Sequence, residues 1–183
     1  MKKIYILLSS TGTIPAKAVR LFTRRKFSHV SIALVPSVEK FYSYARRKIH
    51  NPLIGGLVEE NTNSGVFGLF PDSNCELLEL EVSDKVYDDI VKIIDFYFEN
   101  YEKCTYKFSA LVPMALGIEQ KLKFKMTCSQ FVAMLLEKTG ACTLPRHSSL
   151  MRPCDFLEIE GAKSIFKGAL RDLHFEKQLQ ETK

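Results

Sequence analysis

The chain has 183 residues, 46% apolar and 26% charged, enough to bury roughly 70% of its unfolded surface in one domain without disulfide or metal staples. That composition excludes the disordered, collagenous and low-complexity classes, and its apolar runs fall short of the ~20 residues that cross a bilayer. The net charge is +5, with basic clusters at Arg24-Arg25-Lys26 and Arg46-Arg47-Lys48 that read as solvated edges, so no nucleic-acid partner and no stable membrane insertion are expected.

In chain order, Met1-Lys2-Lys3 ahead of Ile4 to Leu8 looks superficially like a leader, but five apolar residues are too few for a signal peptide. The run reads as a buried strand entering the loop Ser9-Ser10-Thr11-Gly12-Thr13. Pro15 opens a short helix to about Arg25. Phe27 to Leu34 alternates, directing Val30, Ile32 and Leu34 to a core and grouping His29, Ser31 and Ala33 on a small, polar face. After the turn at Pro36-Ser37, Lys40 to Arg46 alternates again and completes a hairpin. Residues 48–74, broken by Pro52, Gly55, Gly56, Gly65, Gly68 and Pro71, read as an irregular excursion around a short segment near Val58.

Cys75 to Val82 reads as a strand, and Ser83-Asp84 opens a helix to about Glu102 with Val86, Ile90 and Ile94 at helical spacing. A linking stretch with Tyr106, Pro113 and Gly117 leads to Thr127–Thr139, the best-punctuated helix. Thr127 and Gln130 form a capping box, Phe131, Leu135 and Leu136 an apolar stripe, and Gly140 the stop. A loop over 144–153, a hairpin through Glu160-Gly161-Ala162 into Ile165 to Leu170, and a fraying charged tail over about 172–183 complete the chain. The expectation is a single α+β domain over residues 1–183.

The five cysteines, Cys75, Cys104, Cys128, Cys142 and Cys154, are odd in number and contain no C-x-x-C pair. Neither a metal site, a cofactor nor a disulfide framework is expected, and a reducing cytoplasm is the simplest home for such thiols. Cys128 differs from the others by position. With Thr127 as N-cap it occupies the first helical residue, where free amides and the helix dipole favour a thiolate. The dipole contributes about 0.5–2 kcal/mol, roughly one pKa unit, so a competent nucleophile also needs an imidazole to take its proton. His29 is placed for that task on its strand face. His147, in Pro145-Arg146-His147-Ser148, is the competing base, while His50 and His174 fall in surface segments. The Cys128 amide, lacking an internal acceptor, is the natural oxyanion donor, and Gln130 is assigned to capping.

Phe27-Ser28-His29-Val30-Ser31-Ile32, followed about a hundred residues later by Thr127-Cys128-Ser129-Gln130-Phe131-Val132, resembles the circularly permuted NlpC-type papain-fold cysteine hydrolases. In the unpermuted relatives the cysteine helix precedes the histidine strand; the order here is that of the branch containing the lecithin-retinol acyltransferase-like proteins. The resemblance spans residues 4 to 170 in element order. It implies an antiparallel sheet packed against helices, Cys128 as nucleophile, His29 as general base, and a third polar residue on the next strand to hold the imidazole. Following the hairpin puts Ser43 at that third position, where the family more often has His, Asn, Gln or Glu; Glu60 is the substitute if its loop folds inward. Tyr106 looks like the tyrosine that recurs upstream of the family's cysteine, facing substrate or oxyanion.

Two function classes follow. One is a thiol hydrolase of amide or ester bonds acting through an acyl-enzyme, with acyl transfer to another acceptor as its variant. The other is a catalytically weak module using the same groove, lined by Tyr42, Tyr44 and Tyr106, to bind a peptide, an amino acid or a lipid headgroup. The first expects a depressed Cys128 pKa, the second an ordinary one.

Overall fold

The computed structural model describes residues 1–10, 26–48 and 51–174. The helix expected from Pro15 to Arg25, the cluster at Arg24-Arg25, His50 and the tail beyond 174 lie outside the described residues. Among the described residues there are eight strands: β1 (Lys2–Ser10), β2 (His29–Ala33), β3 (Phe41–Lys48), β4 (Asn51–Glu60), β5 (Asn74–Val82), β6 (Thr105–Tyr106), β7 (Lys125–Met126) and β8 (Lys163–Ala169). Helices are α1 (Gly65–Gly68), α2 (Asp84–Glu99), α3 (Leu111–Ala115) and α4 (Cys128–Thr139), with short 3-10 turns between them.

Six strands form one antiparallel sheet in the order β4-β3-β2-β1-β5-β8, and β6 pairs with β7 in parallel. Both faces of the sheet are covered, which explains why the central β1 is apolar without alternation. Ile4, Ile6 and Leu8 join Val30, Ile32, Leu78 and Leu80 beneath α2 and α4. Tyr5 and Leu7 join Ala33, Phe41, Phe67, Leu77, Leu170 and Leu173 on the opposite face. Among the described residues no helix is long and apolar enough to cross a membrane.

Several expectations need correction. Residues 51–60 are not an irregular excursion but a full strand at the sheet edge, where a proline near the strand start is tolerated because no neighbour needs its N–H. The hairpin expected at 160–162 is absent: residues 153–158 form a 3-10 helix, and β8 pairs with β5 instead. The helix expected to Glu102 ends at Glu99 and passes into a 3-10 turn. Leu173 is only 3% exposed, so packing continues past the point where fraying was expected.

The glycines that suggested a loop in β4 serve close approach. A Cβ at Gly56 would sit 2.1 Å from the Cys104 carbonyl oxygen, and one at Gly55 would sit 2.9 Å from Tyr106 Cβ. From β3, Arg47 grips the same segment: its Nη2 donates to the carbonyls of Tyr101 (2.6 Å) and Cys104 (2.8 Å), and its guanidinium lies over the Tyr101 ring. This arginine is therefore directed inward rather than being part of a solvated edge. Gly56→Ala is expected to destabilise the protein by about 1–3 kcal/mol, because the clash is with backbone that cannot rotate away. A urea midpoint unchanged from wild type would refute this.

Candidate active site

Helix α4 starts where the sequence places it. Thr127 is extended, its side chain accepts from the Gln130 N–H, and the Gln130 side chain accepts from the Thr127 N–H at 3.0 Å. Gln130 Nε2 also donates to the Ser149 carbonyl at 2.9 Å, tying the helix start to the loop after the helix. Gly140 closes the other end in the left-handed conformation. Cys128 is thereby fixed at the first turn, 3% exposed.

The sulfur meets the sheet where the ladder is open. β2 and β3 share register only at Ile32–Tyr42, whereas β3 and β4 pair along most of their length. The N–H and C=O of one strand residue point to the same side, so at Val30 both face β3. The Ser43 hydroxyl takes the carbonyl at 2.7 Å, and the Cys128 sulfur takes the amide. A hydroxyl and a thiol thus stand in for two strand-to-strand bonds, and the thiol gains an amide donor at sheet level beside His29.

His29 contacts the Cys128 sulfur through charge and hydrogen bonding. Its Nε2 faces both oxygens of Glu60, at 2.8 and 3.1 Å, which leaves Nδ1 for the thiol. The side chains of His29 and Glu60 are only 14% and 12% exposed. On the same face of β2 as His29, Ser31 and Ala33 are small and fully buried, as is Ser43 on the neighbouring strand. Phe67 covers the imidazole, ring centroids 5.9 Å apart.

Burial alone would favour neutral groups at this site. It pushes the Cys128 thiol up, but the charge of His29, its hydrogen bond, the Val30 amide and the Tyr106 hydroxyl outweigh it, and the net shift is downward. For His29, burial opposes the cation while Glu60 and Cys128 favour it; the result lies well above the ordinary imidazole value. Opposite shifts of adjacent groups favour a thiolate–imidazolium pair. Other cysteines behave differently: burial pushes Cys75 up to about 12 and Cys142 up to about 11, and it raises Cys104 as well.

Tyr106, on β6, brings its hydroxyl to the sulfur, and the Cys128 amide points at the same hydroxyl. Burial first, then the neighbouring Cys128, hold its phenol well above the usual range, so it stays a donor. The Cys128 N–H thus donates to the Tyr106 hydroxyl, which donates in turn to the sulfur, and a carbonyl oxygen entering beside the sulfur in place of that bond would meet both donors. Tyr106→Phe is expected to lower kcat by about 10²–10³-fold while leaving the neutral-pH reactivity of Cys128 largely in place. An equal loss of both would make Tyr106 a prop for the thiol rather than an oxyanion donor.

The structure brings together Cys128, His29, Tyr106 and the substitute orienter Glu60, and sets other candidates apart. Ser43 is fully buried and committed to the Val30 carbonyl; it supports the opening in the sheet and does not hold the imidazole. Tyr44 cannot bind substrate: it is 0% exposed, its hydroxyl donates to the Phe124 carbonyl at 3.2 Å, and its ring packs on Phe131. Tyr42 packs edge-on against Phe98. The competing base, His147, caps a 3-10 turn, with Nδ1 2.8 Å from Ser149 Oγ, and His174 is exposed. Sequence reasoning missed the Val30 amide and the Phe67 cover. Neither leaves a side-chain signal, since one is backbone and the other an ordinary core aromatic.

No group of three or more metal-ligating side chains occurs among the described residues, and the described cysteines are all free thiols. No protein-family model and no curated protein matches the chain.

Proposed function

We propose that the protein is a thiol hydrolase of amide or ester bonds, built on a permuted papain-like arrangement in which the histidine strand precedes the cysteine helix. The observation that carries this reading is the convergence of His29, Tyr106 and the Val30 amide on one helix-start sulfur, with Glu60 behind the imidazole. The Cys128 thiolate attacks the substrate carbonyl, and the oxyanion is held by the Cys128 N–H and Tyr106 O–H. The His29 imidazolium gives its proton to the leaving amine or alkoxide, leaving a thioester. Neutral His29 then takes a proton from water as it attacks, and the acid and free thiol are released. Glu60 keeps the ring oriented and stabilises its cation throughout.

Small peptides, amino-acid amides and lipid esters all present the required carbonyl, and acyl transfer would use the same groups with another acceptor in place of water. The alternative of a catalytically weak binding module rested on serine as a weak orienter and on Tyr42, Tyr44 and Tyr106 lining the groove; Glu60 beside the imidazole and the full burial of Tyr44 favour the hydrolase over it. The free thiols accord with a reducing, cytoplasmic setting. The direct test is brief exposure to a p-nitrophenyl ester at neutral pH, acid quench and peptide mass mapping. The expected result is an acyl adduct on Cys128; an adduct on another residue, or none with several acyl lengths, overturns the reading.

A further inference from the structure

Between β6 and β7 the chain carries a solvent-facing apolar row that the fold does not cover. Phe108, Val112 and Leu116, spaced by four, are 38%, 57% and 69% exposed, and Ile118, just past the Gly117 turn, is 54% exposed. They lie on a 3-10 turn, on α3 and just after it, so one side of this helical segment is anchored by buried Ala110 and Met114 while the other presents large apolar groups to solvent. Single exposed apolar residues need no explanation, but a contiguous group marks an interaction surface.

Its charge surroundings select the partner. From Lys103 to Met126 the sequence has five lysines (Lys103, Lys107, Lys121, Lys123 and Lys125) and one glutamate (Glu119), a net +4 in a chain whose total is +5. Lys121, Lys123 and Lys125 are exposed. The fold ties this basic stretch to the apolar row at Gln120, which accepts from Lys107 Nζ (3.0 Å) and donates to the Ala110 carbonyl (3.3 Å), while Lys125 pairs with Thr105 on β6. An apolar strip with a basic border is the pattern of a segment lying in the interface of an anionic bilayer.

We infer that this face docks the protein peripherally on an anionic membrane surface, with Phe108, Val112, Leu116 and Ile118 entering the headgroup region and the lysines on the lipid charge. The Tyr106 and Phe108 rings lie 4.6 Å apart, so the docked face adjoins the wall of the Cys128 site. The docking does not depend on catalysis and is tested separately from it.

The experiment is vesicle co-sedimentation of the full chain with phosphatidylcholine alone and with phosphatidylcholine containing about one third phosphatidylglycerol. Binding to the anionic vesicles is expected to be at least about tenfold stronger and to fall several-fold between 0.1 and 0.5 M salt. The double variant Val112→Asp, Leu116→Asp should lose about tenfold, and Lys121→Glu with Lys123→Glu a similar amount, while Cys128 alkylation at neutral pH stays at the wild-type rate and reports an intact fold. Equal binding to both vesicle types, or no binding to either, overturns the inference. So does concentration-dependent dimerisation that the aspartate variant abolishes without vesicle binding, which would assign the face to a second copy of the chain.

Discussion

Cys128→Ala is expected to abolish ester and amide turnover and to remove the only thiol that alkylates rapidly near neutral pH. Iodoacetamide reacts with the thiolate, so its rate follows the fraction of each cysteine ionised. Burial pushes Cys75 and Cys142 up to about 12 and 11, leaving very little thiolate on either at pH 7. Cys128 moves the other way, because the imidazolium and two further hydrogen-bond donors outweigh its burial penalty. In a pH series the wild-type rate should rise with a midpoint below the ~8.5 of an ordinary cysteine. The alanine protein should show only slow labelling that climbs at high pH. The substitution removes one buried sulfur, so the fold should survive and thermal unfolding should change little. Persistence of fast neutral-pH labelling in the variant would place the nucleophile elsewhere.

The second large effect concerns the base. His29→Ala is expected to reduce kcat/KM by about 10²–10⁴-fold, the usual contribution of a positioned general acid–base, and to return the Cys128 alkylation midpoint upward. Glu60→Gln separates charge from orientation. Glutamine keeps a polar partner near Nε2 but removes the anion that helps hold the imidazolium above its ordinary value. The wild-type pH–rate profile should rise as the thiolate–imidazolium pair forms, below the ordinary thiol range, and fall only when the imidazolium loses its proton, above the ordinary imidazole range. Without the Glu60 charge the imidazolium is less stable, so the falling limb moves to lower pH and the active window narrows from its alkaline side. A limb that stays in place while kcat drops would make Glu60 an orienter only. A profile unchanged in both height and position would remove Glu60 from the site.

The extent to which the site is legible in the sequence differs from residue to residue. Cys128 is the clearest case, since the capping box, the apolar stripe and Gly140 are local signals that fix a helix register without any distant contact. The face of β2 bearing His29 follows from alternation alone. The orienter is less accessible. Glu60 lies at the end of β4, and Pro52, Gly55 and Gly56 carry the marks of a loop. In the fold, the edge position excuses the proline, and the approach of β6 requires the glycines. Ser43 was legible as a neighbour of β2 but not in its task, because nothing local says that the ladder between β2 and β3 stops at Ile32–Tyr42. Tyr44 shows the limit of residue-type reasoning, because a tyrosine near a candidate cleft and a tyrosine sealed in the core have the same local signature.

By itself the sequence determined a mixed helix and strand domain, a cysteine at a helix start and a histidine on a small-residue strand face. These depend on periodicity, capping and turn chemistry, which act over a few residues. The tertiary structure decided which groups surround the sulfur: the freed Val30 amide, Glu60 behind the imidazole, Tyr106 delivered by β6, and the exclusion of Ser43, Tyr44 and His147. Those outcomes depend on strand order, on where a ladder ends and on how closely two backbones approach. They arise from the burial and hydrogen-bond satisfaction of residues from about a dozen to a hundred positions apart, which no local pattern encodes.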